Sequence, residues 1–468
     1  MSALDFTQMK ERALKAQRTR VKLDPTNNAT EFTSNSLIQF RIPANVQNTY
    51  MDWSNDWSLQ FKLEINDIVN GAANVETKSS LRLDKAGASS LIKKLTFRQA
   101  GQVLSEVNDY GVLACLMKDL QMSAVYSGNT GRLLEGTTNG AYGEELETIQ
   151  TDQNITTKAS ALFSIPLSFN CFANSNKMIP LFGLAPIEID IELYPANEVG
   201  GWNAKSGATF VAKSIGDDAF NVKEVQLTGY YVELSPNAQA LISQSVNNQY
   251  QICSNNYRVS NINIQDGASA VNEVIPINVS SLERIFIIHR KGAKAITTTA
   301  DANDTPFTLG NRYYPLLEEY QTFINSQPFP ERPVKMEGRL AEAMTEVLMC
   351  EHTFGDKNYS SNSILADDTT SDQVKIDESN YNLTYTNANG YHSGGIGSFV
   401  VASNFSTLNH GISDKVYGGV SSVGSICSWR GKYGAGGIGA SSILTAISEY
   451  EVVLHLDMNN AGTFILNQ

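Results

Sequence analysis

Charge, histidine and long apolar runs are scarce in this 468-residue chain, and each shortage removes a class of function. No stretch of about 18 apolar residues occurs, so the sequence predicts no membrane-spanning helix. Met1 to Lys22 contains no apolar core of the kind that opens a secretory signal, so synthesis in a reducing, intracellular compartment is expected. The five cysteines (Cys115, Cys171, Cys253, Cys350, Cys427) are far apart, odd in number and never in a C-x-x-C pair. They read as reduced, buried, small apolar residues and not as a disulfide framework or metal site. The five histidines (His289, His352, His392, His410, His455) show no H-E-x-x-H or other paired spacing, so no metal ligands are expected. No G-x-S-x-G nucleophile turn appears to give a His352–Asp356 pair something to activate. Gly434 to Gly439 fits G-x-G-x-x-G, but only about 29 residues follow it. They read as strands, whereas a dinucleotide fold needs a helix next. The carboxylate pairs Glu318-Glu319 and Asp367-Asp368 read as solvated charge.

Charged residues are 18% of the chain, below the roughly 25% of an ordinary soluble domain. Asn, Ser, Thr and Gly make up the difference, a bias toward turns and sheet surfaces. The formal net charge of −13 would repel phosphate over most of the body. The first 22 residues are the exception. Lys10, Arg12, Lys15, Arg18, Arg20 and Lys22 stand there against Asp5 and Glu11, about +4, which leaves about −17 for the rest. Ala13, Leu14, Lys15, Ala16 and Gln17 favour a helix within this segment.

Period-two alternation is the main structural signal. Ile38-Phe40-Ile42, Leu59-Phe61-Leu63-Ile65, Leu95-Phe97, Phe163-Ile165-Leu167-Phe169 and Ile187-Ile189-Ile191-Leu193 each alternate with polar residues. Each predicts a half-buried antiparallel strand, as does Val225 to Leu234. One helix breaks the set, with Leu113, Leu116, Met117 and Leu120 on a single stripe that should lie against the sandwich. A second block begins near Gln249, with strands over Tyr257 to Ile264 and Leu282 to His289. A helix is expected next, from Pro315 with Leu316, Tyr320, Phe323 and Ile324 on one face. Another should carry Leu340, Met344, Val347 and Leu348, before strands resume at Gly397 to Ser403 and over Tyr450 to Leu456. The order strands, helix, strands thus occurs twice, with a seam at Ser235-Pro236-Asn237. The domain division expected is a basic arm over 1–30, a first sandwich over 31–236 and a second over 237–468. Polar, Gly-rich tracts near 124–160, 196–221, 291–311, 353–396 and 407–442 exceed ordinary loop length.

Four stretches resemble the double jelly-roll major capsid proteins of the adenovirus–tectivirus lineage, especially those of polinton-like viruses, adintoviruses and virophages. They are Phe40-Arg41-Ile42-Pro43 with Asn48 to Asp52 and Leu59 to Ile65; Leu91 to Met122; Phe163 to Leu167 with Lys177 to Leu181 and Ile187 to Leu193; and Glu449 to Asp457 with Thr463 to Gln468. The middle, from about 290 to 445, matches by element order alone. The resemblance implies an all-β chain with a few short helices, folded as two tandem eight-stranded jelly rolls. It further implies a homotrimeric, pseudo-hexagonal capsomer of an icosahedral virion, with no enzymatic activity, catalytic residue, cofactor or metal. Expected partners are the chain itself, neighbouring capsomers, pentons and minor or cement proteins. Lys10, Arg12, Lys15, Arg18, Arg20 and Lys22 would face inward, toward genome or an internal membrane. Deleting residues 1–22 is expected to spare the trimer and impair assembly. A carbohydrate-binding or glycoside-cleaving sandwich is the rival from another class, and it needs Trp53, Trp57, Trp202 or Trp429 to line a groove. A fibre or projecting-domain coat protein would show one strand–helix block instead of two.

Overall fold

The computed structural model describes residues 16–467 apart from 44–45, 69–75, 139–142, 152–153, 158, 174, 176, 183, 207–208, 211–214, 247–248, 292–306, 314, 316, 337–340, 352–383, 387–391, 395–398, 407–417, 435–437, 439–441 and 458–463. The first half comprises β1 (Ala16–Leu23), β2 (Glu31–Thr33), β3 (Leu37–Ile42), β4 (Thr49–Met51), α1 (Trp53–Asp56), β5 (Ser58–Ile65), β6 (Thr77–Arg82), β7 (Ile92–Gln99) and β8 (Gln102–Asn108). It continues through α2 (Tyr110–Gln121), α3 (Ala124–Gly128), α4 (Thr130–Glu135), β9 (Glu145–Thr151), β10 (Asn154–Thr157), β11 (Ser160–Ile165), β12 (Ile179–Pro180), β13 (Ile187–Leu193), β14 (Gly201–Ser206), β15 (Thr209–Phe210) and β16 (Phe220–Leu234). Helix α5 (Pro236–Val246) leads to β17 (Gln249–Asn263), β18 (Ala270–Ile275), β19 (Leu282–Lys291), β20 (Leu317–Ile324), β21 (Gln327–Lys335) and α6 (Ala341–Cys350). The chain closes with β22 (Thr384–Thr386), β23 (His392–Gly394), β24 (Val401–Asn404), β25 (Cys427–Tyr433), β26 (Ser442–Asp457) and β27 (Phe464–Asn467).

Alternation in the sequence becomes a wet face and a dry face. In β5 the side chains of Leu59, Phe61, Leu63 and Ile65 are buried while Ser58, Gln60, Lys62 and Glu64 are not. At roughly 1.5–3 kcal/mol per fully buried side chain, that one row fixes the register, since a one-residue slip would turn it out to water. The sheets run β2–β16–β5–β11 and β3–β13–β7–β8 in the first half, β17–β26–β19–β24 and β18–β25–β20–β21 in the second. Counting eight strands in each half, both pair the first, eighth, third and sixth in one sheet and the second, seventh, fourth and fifth in the other. That order is the jelly roll, and the chain contains it twice.

Registers also give each barrel a polarity. In the first, β2, β3, β5, β7, β8, β11, β13 and β16 alternate in direction. The long connections after β5, β8 and β13 therefore leave one end, while β1 starts and β16 finishes at the other. The second barrel repeats this, with β26 running from Ser442 at the loop end to Asp457 at the base. Three of the first barrel's long connections even build a sheet of their own, β10–β9–β6–β14–β15.

Three expectations need correction. Ala16 and Gln17 do not continue a helix; they open β1, which pairs with β16 from Ala16↔Leu234 to Leu23↔Leu227. Together β1 and β2 fill along β16 the place that β17 fills alone along β26. The helix expected from Pro315 is strand β20, where Tyr320, Thr322 and Ile324 point inward. Thr322 hid the alternation: its hydroxyl lies 2.8 Å from Ser403 Oγ inside the barrel, so a buried position carried a polar residue. Helix α2 has the predicted stripe but is covered on nearly every side, Lys118 and Asp119 included. The helix expected over Leu340 to Leu348 is present as α6, which follows β21 as α2 follows β8.

Candidate interaction surfaces

The described histidines, tryptophans and paired carboxylates take the following places. His289 is buried among Tyr313, Phe399, Trp429 and Tyr433, with Nε2 2.9 Å from the Tyr433 hydroxyl. Burial pulls it down to about 3, so it is a neutral core residue. His455 lies on β26 and His392 on β23, while His352 and His410 lie outside the described residues. Trp53, Trp57, Trp202 and Trp429 are all buried, so none can stack on a sugar. The described element that follows the Gly434 to Gly439 motif is strand β26 and not a helix. Glu318 pairs with Lys432 at 2.8 Å, while Asp367 and Asp368 lie outside the described residues. No group of three or more His, Cys, Asp or Glu is arranged for a metal ion among the described residues.

The six basic residues separate. Lys10, Arg12 and Lys15 lie outside the described residues, whereas Arg18, Arg20 and Lys22 stand exposed on β1. Arg18 is held to its own barrel by an ion pair with Asp56 and by stacking over Tyr230 at 4.0 Å. Lys22 Nζ donates to Gln226 Oε1 at 3.1 Å. β1 itself starts at the base, opposite the end from which the long connections leave.

The two barrels meet along β8 and β17, which belong to different sheets. At the centre the Ser105 hydroxyl donates to Asn256 Oδ1 at 2.7 Å, both residues buried. Toward the base, Phe182 meets Tyr250 edge-on, Lys177 Nζ donates to the Gln251 carbonyl, and the Phe464 amide donates to Gln99 Oε1 at 2.7 Å. At the loop end Asn261 donates to Asp109. Base meets base and loop end meets loop end, so the barrels stand side by side with the same polarity.

A buried charge cluster closes the loop end of this seam. Asp119 of α2 accepts from Lys85 Nζ at 3.1 Å and from Arg312 of the second barrel, whose Nε also donates to the Phe399 carbonyl. Asp84 Oδ2 accepts the backbone amides of Leu309 and Gly310 at 3.2 and 3.0 Å. Burial alone would raise Asp119; Lys85, Arg312 and Lys118 outweigh it and hold the carboxyl below its ordinary range. Burial pulls Lys85 and Lys118 down. No sequence motif marks this cluster, because its members lie on the β6–β7 connection, α2 and the β19–β20 connection. A second cluster surrounds Arg284, whose Nε donates to Glu449 at 2.7 Å and Nη1 to Glu351 at 3.0 Å. Glu283 shares Asn255 Nδ2 with Glu449. Burial, then Glu449 and Glu451, pushes Glu283 up to about 7.

No protein-family model matches the sequence, and no curated protein does. Solved structures do. The PBCV-1 virus capsid is similar at 11% identity and a TM-score of 0.57, over 99% of each chain. The Sputnik virophage structure is similar at 10% identity and a TM-score of 0.58, over 98% of this chain and 90% of that one. Faustovirus major capsid protein is similar at 10% identity and a TM-score of 0.56, over 97% and 92%. At such identities the likeness shows the fold: two tandem jelly rolls arranged as in double jelly-roll major capsid proteins.

Proposed function

We propose that this chain is the major coat protein of an icosahedral virion and assembles as a homotrimer of six upright barrels. The observation that carries the reading is a fold shared along nearly the full length of both chains with capsid proteins of three viruses. Two like-oriented barrels, with the long connections leaving one end and β1 starting at the other, suit a wall with an outer and an inner face. The role is association and not turnover. Three barrel pairs in a ring need one repeated heterologous contact, and an obligate contact of that kind buries roughly 2,000–5,000 Å². Neighbouring capsomers, pentons and minor or cement proteins are the partners outside the ring, and the virion is the location.

By charge alone, the segment with Lys10, Arg12 and Lys15 is the part suited to genome phosphate or an internal membrane, since the remainder of the chain is acidic. Light scattering on purified protein should give three times the 51.1-kDa chain mass, and electron microscopy a particle of six-lobed outline. A monomer at micromolar concentration would refute the tile.

A further inference from the structure

Each chain satisfies one barrel-to-barrel seam internally and leaves the two complementary edges of that seam uncovered. Inside the chain, the last strand of one four-stranded sheet (β8) meets the first strand of the next barrel (β17). The counterparts left over are β21 in the second barrel and β1 in the first. Registers align them residue by residue. Asn256 faces Tyr450, the residue at which β19 begins to pair through Leu282. Lys22 faces Thr228, the residue at which β5 begins to pair through Ser58. Lys22 is thus the counterpart of Asn256, and Arg20 the counterpart of Ser254. In the second barrel this row is covered, with Ser254 5% and Asn256 1% exposed; in the first, Arg20 and Lys22 are exposed.

The other edge aligns as well. Ser105, which bonds Asn256, faces Phe97 two residues before the turn that Gln99 and Gln102 close. Phe329 faces Thr322 two residues before the turn that Ile324 and Gln327 close. Directly after Phe329, the four residues Pro330 to Pro333 stand opposite Gln321 alone. Gln321 Nε2 donates to the Pro330 and Glu331 carbonyls at 2.9 and 3.3 Å, which fixes this bulge with Glu331 and Arg332 exposed. Pro328, Pro330 and Pro333 remove backbone donors from β21, so it cannot recruit another strand. It can only meet a neighbour through side chains, as β8 meets β17. The bulge offers one charge of each sign, and the β1 side offers Arg20, Lys22 and Asp24.

We propose that β21 of one copy, led by Glu331, packs against Arg20 and Lys22 on β1 of the next, repeating between chains the seam already made within each. The inference rests on the trimeric reading. The test is a Lys22→Cys/Glu331→Cys double variant in a Cys253→Ser background, the other four cysteines being buried, treated with a short bis-maleimide. A covalent trimer on a denaturing gel is expected, with each single variant remaining monomeric. Charge reversal Lys22→Glu should raise the trimer dissociation constant at least tenfold, and Glu331→Lys in the same chain should restore it. A wild-type trimer whose double variant stays monomeric on the gel overturns the seam alone. A wild-type chain that is monomeric by light scattering overturns the trimeric reading and the seam with it.

Discussion

Replacing Asp119 with alanine tests how much of the inter-barrel junction rests on charge. Lys85 and Arg312 are 2% and 1% exposed at the side chain, and Asp119 5%. The substitution leaves two adjacent buried cations without their shared carboxylate. Removing one member of a buried ion pair costs about 3–5 kcal/mol, a large part of the roughly 5–15 kcal/mol that holds an ordinary domain folded. With a urea slope near 3 kcal/mol per molar, the unfolding midpoint should drop by about 1–1.7 M. Glu192→Ala is the matched control. Its bond to Lys93 is 2.9 Å, as short as the Asp119–Lys85 bond, but the side chains are 36% and 42% exposed. That pair should contribute less than about 1 kcal/mol and lose even this in high salt. Urea curves at low and high ionic strength separate the cases. Equal midpoints for the two variants would refute the argument that burial, and not bond length, sets the strength of these pairs.

Glu283→Gln should change the pH dependence of stability. A carboxyl raised from 4.5 to about 7 in the folded chain is uncharged and costs nothing below pH 4.5; stability is then lost as pH rises through 7. The variant should match wild type at pH 4.5 and exceed it at pH 8 by at most about 3 kcal/mol, and an equal gap at both pH values would contradict this. Truncation should divide at the start of β1. Removing residues 2–15 should leave trimer mass and thermal midpoint unchanged while impairing shell assembly. Removing 2–22 takes most of β1, strips one side of β16 and should lower the midpoint, contrary to the expectation that this whole segment is a detachable arm. Light scattering and a thermal scan on both truncations decide the point.

Legibility in the sequence followed solvent contrast. Rows such as Leu59 to Ile65 and Ile187 to Leu193 have one wet and one dry side, so their period survives in composition and the sheets could be read. Where the interior is polar the period is lost: Thr322 turned a strand into an apparent helix. Where both sides are covered the pattern misleads in the other direction, as in α2, whose Lys118 and Asp119 look like a solvated face and are enclosed. The basic residues were found by charge, but charge carries no conformation, and β1 became a strand because β16 extends past β2 with an edge to fill. The seam was invisible for a further reason. Ser105 and Asn256 are ordinary polar residues, 151 positions apart, and only the folded chain makes them neighbours.

The common polarity of the two barrels also separates two kinds of evolutionary change. Connections after the third, fifth and seventh strand of each barrel all leave from the end remote from α5 and the β16–β17 crossing. A loop there can double in length at a closure cost of only about 0.6 kcal/mol, adding relief to one end while the width of the molecule stays set by its strands. Changes in the β8–β17 row alter the angle between barrels and so the spacing of everything attached. Such a chain can change quickly at one end while its width hardly changes, and inserted peptides should be tolerated best in those loops.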